Sequence, residues 1–279
     1  MSPAPSLVVA GSVNVDLVAT VERLPAPGET IGGGRLRRQA GGKGANQAAA
    51  ASRLGAAVSF VGCIGDDADG RFVRAELAAA GVDTAGLRVV DEATGTALIS
   101  VDADGENTIV VCPGANAHLG ASLLDDPDTA LLLQLETPVQ TVEELVRRAR
   151  GTVVLNAAPA LHLSADLIDR VDLFVVNETE YAALPELAAA RRVAVTLGAD
   201  GAALYERDRL LHRAAGTATR VVDTVGAGDA FTAALTVGLL EGVDEATALA
   251  TACRVGAVAV GVPSAQPAFE HIDRYRSRS

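Results

Sequence analysis

The 279-residue chain is short of three things: aromatic side chains, cysteine and, above all, lysine. Aromatics make up 3% of it against 49% hydrophobic residues in total, so a core must be assembled from Ala, Val and Leu rather than large rings. Cys63, Cys112 and Cys253 are odd in number, far apart and never in a Cys-x-x-Cys pair. That pattern argues against a disulfide framework and a thiolate zinc site, and it fits a reducing cytoplasm. His118, His162, His212 and His271 show no metal-ligand spacing. No run approaches roughly 18 continuous strongly apolar residues, so no membrane span is expected. The opening "MSPAPSLVVAGS" has neither the basic segment nor the long apolar run of a secretion signal. Positive charge is scarce too, with 23 Lys plus Arg against 35 Asp plus Glu and a net charge of −12. Such a surface attracts neither nucleic acid nor anionic membrane, and the short run "RLRRQ" (35–39) reads as a solvated face. Lys43 is the only lysine. A coding bias toward G and C would account for arginine everywhere else. It would not account for one lysine between glycines, where a compact ammonium fits better than a planar guanidinium.

What the sequence does have is an alternation of short Val/Leu/Ile runs with longer Ala/Leu-rich amphipathic segments. Strands are expected at 7–11, 58–62, 130–136, 152–156, 173–177 and 193–198, and helices at 43–54, 67–80, 139–150, 164–169, 229–241 and 244–260. Apolar strands without polar alternation are buried on both faces, which means a mostly parallel sheet between helical layers, an α/β fold. Two stretches break the rhythm. Residues 13–39 are rich in Pro and Gly, and 95–112 hold two β-rich runs around the turn "DADGEN". They are expected to form a small β subdomain over one edge of the main sheet, within a single domain. Five expected strands run into polar residues, at "GSVNVD", "QLE", "LNAAP", "VVNETE" and "TLGADG". Open α/β sheets bind ligands beyond these carboxyl ends, so a site is expected along that rim.

Two glycine-rich loops carry the chemistry. In "AGGKGANQAAAASRLG" (40–55) Gly42-Lys43 is followed by Gly44, and position 37 is Arg, so the phosphate-loop pattern fails at both ends. In "VVDTVGAGDAFTAAL" (221–235) a β-like run "TRVV" leads into Gly226, Ala227, Gly228 and Asp229, and then into an Ala-rich helix. Free N–H groups and the helix dipole make an anion site there. Asp229 can serve as an ordinary cap; beside an anion site it is also placed to take a proton from an attacking hydroxyl. A dinucleotide fold is not favoured, because Phe231 stands at the third glycine position and the loop lies near the C-terminus.

Together, "GGKGAN" with the following "A…RLGA" and "DTVGAGDAFTAAL" resemble the two signature motifs of the ribokinase/phosphofructokinase-B carbohydrate kinases. "GSVNVD", "PAPGET", "GDDADG", "GENTIVVCPGAN", "QLE", "NETE" and "TLGADG" occur in that family's order, over nearly the whole chain. The first, the "GGKGANQA" segment and "GEN…PGAN" are most similar to its ribose-phosphorylating members. The resemblance implies a three-layer α/β sandwich with a β-sheet lid, and transfer of the γ-phosphoryl group of ATP to the primary 5-hydroxyl of D-ribose. Acceptors left open are 2-deoxyribose, another pentose or ketohexose, or a nucleoside. A sugar sensor without turnover is the remaining alternative, and it would be expected to lose Asp229 or the glycines.

By the same resemblance, Asn14, Asp16, Gly42, Lys43, Gly44, Ala45, Asn46 and Glu136 bind the sugar. Asp229 is the general base, and Gly226, Ala227 and Gly228, with the amide of Asp229, form the anion hole. Thr196, Leu197, Gly198, Ala199, Asp200, Gly201, Gly228 and Cys253 line the nucleotide pocket with Asn177. Asn177 and Glu180 position Mg²⁺ through water, and Asp223, Val225, Ala259, Val262, Ser264 and Ala268 hold a monovalent cation, K⁺. Members of the family dimerise through the lid, so a homodimer is implied. The chain departs from the family pattern in three places. "VPSAQPAFE" lacks the usual basic and glycine residues, with Ala268 where serine is common; Cys253 replaces a polar residue; and only 18 residues separate Asn177 from Thr196.

Overall fold

The computed structural model describes residues 4–123 and 126–276. Nine strands form the main sheet: β1 (Ser6–Ala10), β4 (Ala57–Gly65), β5 (Leu87–Val90), β8 (Ala130–Gln134), β9 (Val153–Asn156), β10 (Leu173–Asn177), β11 (Val193–Thr196), β12 (Ala202–Glu206) and β13 (Arg209–Ala214). Their order is β13-β12-β11-β10-β9-β8-β1-β4-β5. Every neighbouring pair is parallel except β11 with β12 and β12 with β13. One helical layer holds α1 (Lys43–Arg53), α2 (Ala68–Ala79), α6 (Ala227–Leu240) and α7 (Glu245–Ala259). The other holds α3 (Val139–Arg148) and α4 (Ala165–Arg170). Leu132 of β8 packs into the first layer while Leu131 and Leu133 pack into the second, which is why these strands read as unbroken apolar runs.

The six expected strands and six expected helices are all present, with no end shifted by more than three residues. One expectation is corrected. The run "TRVV" (219–222) is not a strand; Val221 and Val222 are exposed, and the segment is held by the N–H groups of Val222 and Asp223 donating to the Val260 carbonyl. Branched side chains favour a strand only where a neighbour pairs with it. Between Asn177 and Thr196 the chain has room for the six-residue α5 (Glu178–Ala183) and a 3₁₀ turn at Pro185–Ala189.

A second sheet has the order β3-β2-β6-β7, from β2 (Asn14–Thr20), β3 (Arg35–Gly41), β6 (Gly95–Val101) and β7 (Asn107–Cys112). The expected hairpin around "DADGEN" is β6 and β7, with Ala97 opposite Val111 and Ile99 opposite Ile109. β2 lies parallel to β6 and pairs Asp16 with Ala97. Asp16, Ala97, Ile99, Ile109 and Val111 line one cavity, so one face of this sheet looks onto the carboxyl ends of the main strands.

Alanine decides how the functional loops meet. Ala45, Ala48 and Ala49 of α1 and Ala230, Ala233 and Ala234 of α6 are all buried in one cluster. Side chains this small let two helices approach closely, and dense packing then fixes their register. The first turn of α1 thereby meets the first turn of α6, although 183 positions separate Asn46 from Asp229.

Candidate active site

The chain leaves β1 toward β4 and β5, then returns to β8 on its other side, so the strand order reverses between β1 and β8. Crevices of this kind take ligands in open α/β sheets. Here a cavity of about 320 Å³ is lined by Asn14, Asp16, Gly42, Lys43, Asn46, Glu136, Asn177, Glu180, Gly226 and Asp229. A second, more apolar cavity of about 390 Å³ is lined by Gly198, Ala199, Gly201, residues 216–219, Phe231, Cys253 and Gly256. The two share Thr196 at the end of β11 and Thr224 and Gly228 at the start of α6.

Gly226 caps α6 in the left-handed region at φ 78, and a Cβ there would collide with the Ala265 carbonyl. Only glycine fits that turn. The N–H of Ala227 donates to the Thr224 carbonyl at 3.3 Å; those of Gly228 and Asp229 have no backbone partner among the described residues. With the helix dipole they make a place for an anion where the cavities join. Asp229 itself is buried, with Asn46 Nδ2 donating to its Oδ2 and Gln47 Nε2 to its Oδ1, both at 2.9 Å. Burial raises its pKa above the usual carboxylate range, against the pull of Lys43 and the two amides. A carboxylate so raised is a better proton acceptor than an exposed one.

On the side of the cavity nearest β2, Asn116 Nδ2 donates to Asn14 Oδ1 at 2.7 Å, and Asn116 Oδ1 accepts the Val13 N–H at 2.9 Å. The amide of Asn14 is thereby oriented, with its nitrogen left for a ligand. Glu136 Oε2 accepts from Ser12 Oγ at 2.6 Å and from the Lys43 N–H at 2.9 Å. The Lys43 ammonium stands 4.0 Å from Glu136 Oε1. Burial opposes its charge, but Asp229, Glu136 and Glu180 outweigh burial and hold its pKa above the usual value. Asp16 is pushed up to about 7, first by burial and then by Glu136. Three carboxylates around one ammonium suit a neutral ligand rich in hydroxyl groups, which can donate to the first and accept from the second.

The residues expected at the site fall into three groups. Most of the sugar set and the anion hole line the first cavity. Gly44 and Ala45 do not; they sit behind it, where a Cβ on Gly44 would lie 2.6 Å from the Ser12 carbonyl oxygen and the Ala45 N–H donates to that same oxygen. Of the nucleotide set, Thr196, Gly198, Ala199, Gly201, Gly228 and Cys253 line the second cavity, whereas Leu197 and Asp200 do not. The Cys253 thiol is pushed up to about 11 by burial, so it is a neutral apolar wall. Asn177 and Glu180 form a capping box at the start of α5, each engaging the other's N–H at 2.8 Å, and both line the first cavity. Asp223 Oδ1 accepts the Val225 N–H, and its Oδ2 lies 3.8 Å from Arg37 of β3, whose guanidinium also donates to the Pro263 carbonyl. Sequence reasoning assigned nothing to Gln47, Asn116, Gln134 or Asn156, although each stands inside a quoted motif; their buried polar side chains become informative only once the packing is known.

A buried carboxylate at a helix N-terminus, between a polar cavity and a more apolar one, fits a small-molecule phosphotransferase. The comparisons agree. The profile of the pfkB family carbohydrate kinases matches residues 4–272, and the chain belongs to that family. It is 37% identical to ribokinase of Haemophilus influenzae over 265 residues, covering 85% of this chain and 86% of the relative. It is also 37% identical to ribokinase of Bacillus subtilis over 273 residues, covering 91% and 92%. The solved structure of Arabidopsis thaliana ribokinase complexed with ribose and ATP superimposes with a TM-score of 0.87 at 31% identity, covering 98% of this chain and 97% of that one.

Proposed function

We propose that the protein transfers the γ-phosphoryl group of ATP to the 5-hydroxyl of D-ribose. The observation that carries this reading is the junction at Thr196, Thr224 and Gly228, where the two cavities meet beside Asp229. A sugar held by Asn14, Asp16, Lys43, Asn46 and Glu136 presents its primary hydroxyl to Asp229. Asp229 takes the proton, the freed oxygen attacks the γ-phosphorus of ATP in the second cavity, and the bond to ADP breaks. Charge on the transferring phosphoryl is met by the N–H groups of Gly228 and Asp229, an interaction worth most in a dry, preorganised site. General-base catalysis of this kind contributes about 10²–10⁴-fold.

Two ion sites belong to the same reading. Glu180 offers a carboxylate toward the cavity, and hard oxygen ligands suit Mg²⁺, which would neutralise phosphate charge when bound. Asp223 and the main-chain carbonyls of Val225, Ala259, Val262, Ser264 and Ala268 would hold K⁺ beside the anion hole. We further infer that the whole chain is one kinase domain that works in the cytoplasm. The β2/β3/β6/β7 sheet is its lid, and two copies pair through that sheet. Supporting this, every residue of β7 is exposed, Val110 by 59%, and Leu36 of β3 by 72%. An unprotected apolar strand at a sheet edge favours association with a second chain.

A sugar panel with Mg-ATP, with and without K⁺, tests the reading. ADP release should be faster with D-ribose than with fructose, 2-deoxyribose or adenosine, because paired groups in the site are left unpaired by an analogue that lacks a hydroxyl. Equal rates with ribose and fructose would sink the ribose assignment.

A further inference from the structure

Asp229 keeps only 7% of its surface exposed, and burial works against its ionised form. Two amides answer this, Asn46 at Oδ2 and Gln47 at Oδ1. Neither is free to turn. Gln47 Nε2 also donates to Asn156 Oδ1 at 3.0 Å, and Gln47 Oε1 accepts from Gln134 Nε2 at 2.6 Å. Asn156 Nδ2 in turn donates to the main-chain carbonyl of Val175 at 2.9 Å. A carbonyl can only accept, so the direction of each amide follows from it. Asn156 must turn its oxygen to Gln47, and Gln47 must turn its nitrogen to Asp229. On the other side of the carboxylate, Gln266 Nε2 donates to Asn46 Oδ1 at 3.1 Å, which commits the nitrogen of Asn46 to Asp229.

We propose that Gln47 and Gln266 are positioning residues of the phosphoryl transfer, Gln47 by holding Asp229 itself and Gln266 by locking Asn46, so that Asp229 stays an ionised, single-orientation proton acceptor. Gln47 acts directly and is anchored through Asn156 on the Val175 carbonyl; Gln266 acts through Asn46. Neither lines the sugar cavity, so neither is a sugar contact. The proposal rests on Asp229 being the general base. With both carboxylate oxygens already accepting one N–H, each keeps a lone pair for the substrate hydroxyl. The donors stay in place whatever the state of the carboxyl, so they favour its charged form at all times. Three charged groups face Asp229 as well: Lys43 on α1 favours the ionised form, while Glu136 after β8 and Asp16 on β2 oppose it.

The pH dependence of kcat/KM for ribose tests the proposal in Gln47→Met and Gln266→Leu, with Asp229→Asn beside them. Loss of one hydrogen bond to an ionised carboxylate should move the acid limb upward by about one to two pH units in Gln47→Met. Gln266→Leu should move it the same way by less, and KM for ribose should change less than kcat in both. If the fully buried Gln47 site does not tolerate methionine, Gln266→Leu at the half-buried loop carries the test. An acid limb that coincides with the parent's in every variant that folds overturns the proposal. Full activity in Asp229→Asn would instead refute the general-base reading; an inert Asp229→Asn with unmoved limbs refutes only the amide relay.

Discussion

Replacing Asp16 by asparagine should make the sugar-free protein more stable, and only above acidic pH. In the folded chain Asp16 titrates near 7, against an ordinary 3.8, because it is buried beside Glu136 and Asp229. A carboxyl whose folded pKa is raised contributes stability while protonated. That contribution is complete below 3.8 and is lost as the pH climbs through 7. Three pH units at roughly 1.36 kcal/mol each give a loss of about 4 kcal/mol in the parent. The asparagine side chain carries no charge and loses nothing. Urea unfolding of both proteins between pH 4.5 and 8 should therefore show curves that nearly coincide at the acid end and diverge in favour of Asp16→Asn toward pH 8. Adding ribose should shrink or reverse the gap, since hydroxyl groups donating to ionised Asp16 stabilise its charge. For the same reason ribose binding near pH 7 should release protons, visible as a buffer-dependent enthalpy in calorimetry. A stability difference that stays constant across the pH range would refute the reasoning.

Two further substitutions separate folding from function. A Cβ on Gly228 meets nothing within 4 Å, yet Gly228 lines both cavities. Gly228→Ala should therefore melt at or above the parent's temperature, alanine being the better helix former by up to about 1 kcal/mol, while kcat falls at least tenfold; an unimpaired kcat would show that no phosphoryl group passes that point. Asn116→Ala leaves Asn14 Oδ1 and the Val13 N–H without their partner. Loss of such buried hydrogen bonds costs about 1–3 kcal/mol of stability and frees Asn14 to turn, so KM for ribose should rise more than kcat falls. Thermal melts and steady-state kinetics on the same preparation decide it.

The layered sheet was legible because β8 ("ALLLQ") and β10 ("LFVVN") are apolar on both faces, as only strands covered from both sides tend to be. The β12/β13 hairpin was not. Its turn places Arg207 and Asp208 at φ 46 and 64, a conformation usually announced by glycine or asparagine, so nothing in the sequence flagged it. "TRVV" misled in the opposite direction, with strand-forming residues in a segment that has no strand beside it. At the site, the loops around Lys43 and Asp229 stood out because glycines and a lone charge interrupt apolar sequence. Gln47 stood out far less. Its neighbours "QAAAAS" would suit an exposed face equally well, and only the close approach of α1 to α6 shows that this glutamine faces the carboxylate.

Lys43 also gives the chain an unusual chemical property. It is the only lysine, and its ammonium is half-buried beside Glu136 in the first cavity. Apart from the chain's own N-terminus, no other aliphatic amine exists for acylating, carbamylating or aldehyde reagents to find. Amine-directed labelling of this protein is therefore close to a single-site reaction, and a sugar bound as proposed would shield that site. The same scarcity leaves almost nowhere for lysine acetylation or ubiquitin attachment, except on the one lysine that lines the proposed sugar site.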